Sequence, residues 1–224
     1  MITQDELDLL STKLPFFKQL NQSQKNLLIS GVKSVHYSKG QSLNRGDREC
    51  IGVLIIKNGE IRTYITSDEG REVTLYRLET GEICILSASC VLQNIDFDVS
   101  VDAESECDII QISSLAFSRL SSENVYAELF SYKLATERFS DVMWAMQQIL
   151  FTSFDKRLAA FLLDESAKSE NDVIHMTHEQ IAKYLGTARE VVSRMLKYFS
   201  SEGFVSLTRG GITIKDKKQL RSIL

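Results

Sequence analysis

Residues 186–201, GTAREVVSRMLKYFSS, concentrate side chains that could recognise a polyanion. Arg189, Arg194 and Lys197 can donate to phosphate oxygens or to guanine O6 and N7. Glu190 can accept from a cytosine amino group, and Ser193 can bond to any base. On a helix, Val192, Met195/Leu196 and Phe199 recur three and four residues apart and form the inward face. Arg189, Glu190, Ser193, Arg194 and Lys197 then share the opposite face. Glu190 is the odd member, because a carboxylate repels phosphate. It has two readings: an i,i+4 ion pair with Arg194, worth about 0.3–0.5 kcal/mol, or a base contact that trades general affinity for selectivity.

Such a helix needs a frame. Thr177-His-Glu-Gln180 fits a capping box, Ile181, Ala182 and Leu185 supply an apolar face, and Gly186 is a natural helix stop. A second helix from about Thr187 to Ser201 completes a helix-turn-helix. Beyond Gly203, VSLTRGGITI alternates around Arg209-Gly-Gly211 as a β-hairpin wing. Thr177, Thr187, Lys197 and Arg209 are candidates for holding a DNA backbone, while Arg189, Glu190, Ser193 and Arg194 are candidates for reading bases.

Other chemistry finds little support. Of three histidines only His36 lies in the first half, too few for a histidine-rich metal centre. Neither a phosphate-cradling glycine loop followed by Lys-Ser/Thr nor G-x-S-x-G occurs. Cys50, Cys84, Cys90 and Cys107 contain no C-x-x-C pair and read as thiols rather than structural disulfides. In GEICILSASCVL, Cys84 and Cys90 are either small buried residues or a pair that reports oxidation. A thiol-based redox enzyme is conceivable but leaves the helix-turn-helix unexplained. A non-DNA regulatory subunit, with the tail binding protein, is the other alternative.

Stepping from residues to segments, the charge is uneven. The chain of 224 residues carries 26 Lys and Arg against 30 Asp and Glu, but residues 177–224 hold 9 against 4. That is the balance of a basic module joined to an acidic one. Glycines divide the first part into β-rich runs (VKSVHY, CIGVLIIK, EIRTYIT, EVTLYRL, DVSVDA, CDIIQI), with hairpin turns expected at KNGE and SDEG. Helices are expected around 3–11 and 21–30. No glycine occurs between Gly81 and Gly186. Within that interval a helix capped at Ser121 or Ser122 should run to residue 150. Its Val125, Leu129, Tyr132, Thr136, Phe139, Met143, Met146 and Leu150 fall at coiled-coil spacing, which predicts a homodimer seam. Phe130, Leu134, Val142 and Ile149 would rest on the β-roll. A further helix spans about 154–166. No apolar run reaches the ~18 residues of a membrane span, and MITQDELDLL lacks a secretion-signal pattern, so a cytoplasmic protein is expected.

The expected class is α+β: an antiparallel β-roll sensor (1–120), a long dimerisation helix (121–150) and a winged helix-turn-helix (151–224). This order resembles that of the CRP/FNR family of bacterial transcription regulators, most specifically at Arg189-Glu190-x-x-Ser193-Arg194. The resemblance implies a two-fold palindromic DNA operator with a TGA-containing core, RNA polymerase as partner if the protein activates, and a jelly-roll sensor like a cyclic-nucleotide-binding domain. It also implies cyclic AMP as the first effector to consider, with Glu82 of Gly81-Glu82 opening the phosphate-binding cassette. The cassette's arginine position, however, is held by Phe97-Asp98 beside Asp96, a carboxylate where a phosphodiester must sit. That argues against cyclic AMP. The first cysteine, Cys50, comes too late for the family's N-terminal iron–sulfur cluster, and His36 alone offers no haem ligation pattern. A small effector or an oxidant remains open.

Overall fold

The computed structural model describes residues 2–45, 50–85, 99–168, 172–209 and 211–224. Two compact units emerge: Met1–Ile65 with Leu75–Val142, and Thr66–Thr74 with Met143–Leu224.

The first unit begins with α1 (Gln4–Lys13), a short 3₁₀ turn (Pro15–Gln19) and α2 (Gln22–Ser30). Both α-helices start in capping boxes, Thr3 with Glu6 and Asn21 with Gln24, which satisfy their first free N–H groups. Glu6 also takes Lys57 as an ion-pair partner at 2.9 Å, tying α1 to the roll. The strands follow: β1 (Val32–Tyr37), β2 (Ser42–Arg45), β3 (Val53–Asn58), β4 (Glu60–Thr66), β5 (Glu72–Glu79), β6 (Ile83–Cys84), β7 (Ser100–Ala103) and β8 (Cys107–Ile112). They form two four-stranded sheets, ordered β1-β8-β3-β6 and β2-β7-β4-β5, among the described residues. Val53, Leu54, Ile55 and Ile56 are all fully buried, so neither face of β3 meets water. Leu10, Leu28 and Phe117 join Leu54, Ile61, Leu78 and Ile110 in one core.

The Asn58-Gly59 turn departs from the expected hairpin. It carries the chain from β3 in one sheet to β4 in the other. Gly59 has φ +99°, and a Cβ there would meet the Glu106 carbonyl oxygen at 2.5 Å, so close backbone approach, not strand pairing, selects the glycine. The SDEG turn does join neighbouring strands β4 and β5.

The long helix also begins elsewhere than expected. Ser113 caps a separate helix α3 (Ser114–Glu123), and Asn124 then starts α4 (Val125–Phe151), its Oδ1 accepting from the Tyr126 and Ala127 N–H groups. A hydroxyl at 121 or 122 could not cap because both serines are already inside α3. Ala127 and Leu134 enter the roll core, with Phe130 and Val142 against it; Ile149 does not join that cluster. The heptad residues remain in water: Val125 is 66%, Phe139 63% and Leu150 65% exposed.

The second unit holds α5 (Phe154–Ala167), β9 (Val173–Ile174), α6 (His178–Leu185), α7 (Arg189–Ser201), β10 (Val205–Thr208), β11 (Gly211–Ile214) and α8 (Lys217–Ile223). Leu158, Leu162, Ile181, Val192, Leu196, Phe199, Ile212 and Leu220 form its core. The wing is three-stranded, β10-β11-β9, because Val173 and Ile174 pair with Thr213 and Ile212. Two residues between loops carry too short a pattern to be recognised as a strand. Residues 66–74 belong to this unit through the Lys183–Glu72 ion pair (2.8 Å) and through Val73 beside Gly186.

Candidate nucleic-acid interface

Helix α6 is built as its sequence indicates. The Thr177 hydroxyl accepts from the Gln180 N–H, and the Gln180 side chain accepts from the Thr177 N–H at 2.8 Å. Ile181 and Ala182 face inward. Gly186 ends the helix at φ 61°, ψ 43° and donates to the Ala182 carbonyl, a left-handed stop that suits glycine best. Thr187 then bridges, half-buried, to Ala188, the N-cap of α7. Ala188 offers no side-chain cap. Arg189 is therefore the first helical residue, two later than expected.

Along α7 the core takes Val192, Leu196 and Phe199, while Arg189, Glu190, Arg194 and Lys197 are exposed and Ser193 is half-buried. The structure thus brings together on one helix face all five residues singled out there from the sequence. The Glu190–Arg194 ion pair, one of the two readings of Glu190, is not formed among the described residues. Both residues are exposed, where an i,i+4 attraction contributes little.

Thr177 and Arg209 are also exposed, and both line a cavity of about 320 Å³ between the start of α6 and the wing. His178 lines it too, which sequence reasoning missed. Its imidazole pKa is lowered, first by burial and then by the nearby Arg189 and Lys197 charges. The usable signal was its place directly after the Thr177 cap, at the mouth of the helix.

The sensor-side candidates are less gathered. Glu82 is exposed and its carboxylate accepts the Glu79 N–H at 2.7 Å, closing the turn before β6. That placement gives Glu82 a turn-capping hydrogen bond through one carboxylate oxygen. Cys84 lies in β6 opposite Leu54 with no exposure, the place of a small core residue. Cys90, Asp96, Phe97 and Asp98 lie outside the described residues. Cys50 is disulfide-bonded, which corrects the expectation that all four cysteines remain thiols; Cys84 and Cys107 are not in disulfides. No group of three or more His, Cys, Asp and Glu residues able to hold a metal occurs among the described residues. No described helix is long and apolar enough to cross a membrane.

A buried polar group in the sensor had no sequence signature. The Tyr76 hydroxyl sits with Thr63 and Cys84, and the Arg138 guanidinium of α4 lies 5.3 Å from its ring centre. Burial pushes the Tyr76 phenol well above its ordinary pKa. Three residues from different strands and one from a helix converge there only through tertiary folding.

Two family models match the chain: a cyclic nucleotide-binding domain over residues 34–124 and a Crp-like helix-turn-helix domain over residues 156–223. A solved transcriptional regulator of the Crp/Fnr family from Eubacterium rectale is 42% identical, superposes with a TM-score of 0.90, and is matched over 95% of this chain and 98% of that one. The chain belongs to the CRP/FNR family. Among curated CRP/FNR relatives, the cAMP-activated global transcriptional regulator Vfr of Pseudomonas aeruginosa is 25% identical over 87% of this chain and 92% of its own length. The fumarate and nitrate reduction regulatory protein of Yersinia pestis is 25% identical over 83% of this chain and 76% of its own. Membership of CRP/FNR makes the protein a DNA-binding transcription regulator, with a cyclic-nucleotide-binding-type sensor domain and a Crp-like reader.

Proposed function

We propose that this CRP/FNR regulator binds a two-fold palindromic operator as a homodimer, with α7 of each protomer in a major groove. The single observation that supports this most is the face of exposed Arg189, Glu190 and Arg194 with half-buried Ser193, opposite a fully buried Val192-Leu196-Phe199 face. Arg189 and Arg194 donate to guanine, Glu190 accepts from cytosine and Ser193 assists. Thr177, Thr187, Lys197 and Arg209 hold phosphates and fix register. Residues 1–120 act as sensor, 121–150 as dimerisation segment and 151–224 as reader. An activator would also engage RNA polymerase, and the site of action would be the cytoplasm.

For the signal, we favour an input other than cyclic AMP. One carboxylate oxygen of Glu82 accepts a turn N–H, and no arginine stands at Phe97-Asp98. The Cys50 disulfide supports an oxidant as the input; Cys84, sealed in the core, is a poorer sensor. Arg138 above the buried Tyr76 offers a small effector a route to α4.

Selection of bound fragments from genomic DNA tests the reading. Full-length protein should enrich a palindrome, and the Arg189→Ala/Arg194→Ala protein should enrich none while remaining folded by circular dichroism. Unchanged enrichment would reject the assignment of α7. Repeating the selection with diamide and with reductant, for wild type and Cys50→Ser, tests the oxidant input. Enrichment that ignores the thiol state would remove it.

A further inference from the structure

Two histidines and an arginine surround the mouth of α6. His175 and His178 line the 320 Å³ cavity together with Thr177, Thr208 and Arg209, and its described lining residues include no carboxylate. Arg189 and Lys197 of α7 also bear on His178. Glu179, the next residue along α6, points to solvent and is exposed, and it does not line the cavity. The N-terminal end of α6 adds a partial positive charge. Among the described residues, Arg189 and Lys197 of α7 bear on His178, while Arg209 of the wing and His175 ahead of the helix share its cavity.

We propose that His178 is a proton-coupled phosphate clamp: when the reader meets DNA, a backbone phosphate seats at this mouth and His178 takes up a proton. This rests on the DNA-binding reading above. In the free protein burial first, and then the Arg189 and Lys197 charges, lower the imidazole's pKa and so disfavour its charged form. A phosphate oxygen brings the missing negative charge, so the doubly protonated ring, drawing its second proton from water, donates to it. By linkage, DNA then binds more tightly as pH falls between the free and bound imidazole pKa values. Because a phosphate carries no sequence information, the effect belongs to general affinity, not to base choice.

The experiment is a titration of full-length protein with a short duplex of arbitrary sequence at low salt, from about pH 8 down to about pH 5.5, which spans the ordinary imidazole range. Affinity should rise by up to about tenfold per pH unit for each proton taken up. His178→Gln should flatten the profile at the weak level, and His178→Arg should flatten it at the tight level because its charge is permanent. His175→Gln should keep the slope; only three histidines exist in the chain, so this separates the two at the mouth. A slope lost in His175→Gln and kept in His178→Gln overturns the assignment. A flat wild-type profile with measurable binding overturns the proton coupling and leaves the DNA reading standing. If duplex is not bound at any pH, the DNA reading itself fails, and the clamp with it.

Discussion

Glu190 shows how one side chain can change what a helix is for. Among the described residues Glu190 forms no ion pair with Arg194, although its place in the first turn of α7 suits the helix dipole. An exposed acid beside two arginines lowers attraction for phosphate, and the proposed base contact would compensate at one sequence only. Glu190→Ala should therefore broaden base preference at one operator position by about 1–3 kcal/mol of lost discrimination, with equal or higher affinity for arbitrary duplex. Binding measured on a set of single-base operator variants checks this; uniform weakening would show that Glu190 acts on the helix and not on a base. The five polar residues of α7 were legible because a 3.6-residue period separates wet from dry faces. His178 was not, since its setting comes from β9, the wing and α7 together. Cys84 was legible only as a choice between two readings; it lies buried in β6, and its suggested partner Cys90 is outside the described residues.

Among the elements, the turn at Gly186 sets the angle between α6 and α7. Its φ of 61° is left-handed, and a Cβ there would come within 3.2 Å of Val73 and 3.6 Å of Ile149. Gly186→Ala should cost about 1–2 kcal/mol from backbone strain alone, read as a lower urea midpoint, and should also weaken DNA binding through misplaced helices. A variant as stable as wild type would show that the turn tolerates a side chain. Gly186 and the capping box were plain in the sequence because each is local chemistry. The Asn58-Gly59 turn misled because a residue with positive φ serves both a hairpin and a passage between sheets, and only the partner strands differ. The start of α4 misled similarly: Ser121 and Ser122 are competent caps, but Ser113 had already begun α3, and Asn124 was the residue left to restart the chain.

For the whole molecule, α4 carries two unlike faces. Ala127, Ser131 and Leu134 are buried against the roll, whereas Leu129, Tyr132, Phe139, Met143 and Met146 are 46–63% exposed. Apolar surface of that extent on one stripe calls for a partner, and an identical stripe on a second copy is the natural one. Phe139→Glu should yield a monomer at micromolar concentration by light scattering, with the fold retained, since Phe139 makes no part of the roll core. The same change should weaken palindrome binding far more than half-site binding, because two linked readers gain from effective concentration. A Phe139→Glu dimer would place the seam elsewhere. The exposed apolar stripe was readable because heptad spacing is a property of sequence alone; the buried meeting of Tyr76, Thr63 and Arg138 was not, because nothing in their spacing predicts contact.

The missing side-chain cap at Ala188 has a thermodynamic side. The first turn of α7 keeps backbone N–H groups that no hydroxyl or carboxylate of its N-cap satisfies. A serine or aspartate there would stabilise the helix by roughly 1 kcal/mol, yet alanine leaves those donors and the positive end of the helix for an incoming oxyanion. Under the proposed reading, the reader is less stable alone than a capped α7 would make it, and would regain that stability on meeting DNA. An engineer who capped α7 to raise its melting point would be competing with the operator for the same hydrogen bonds.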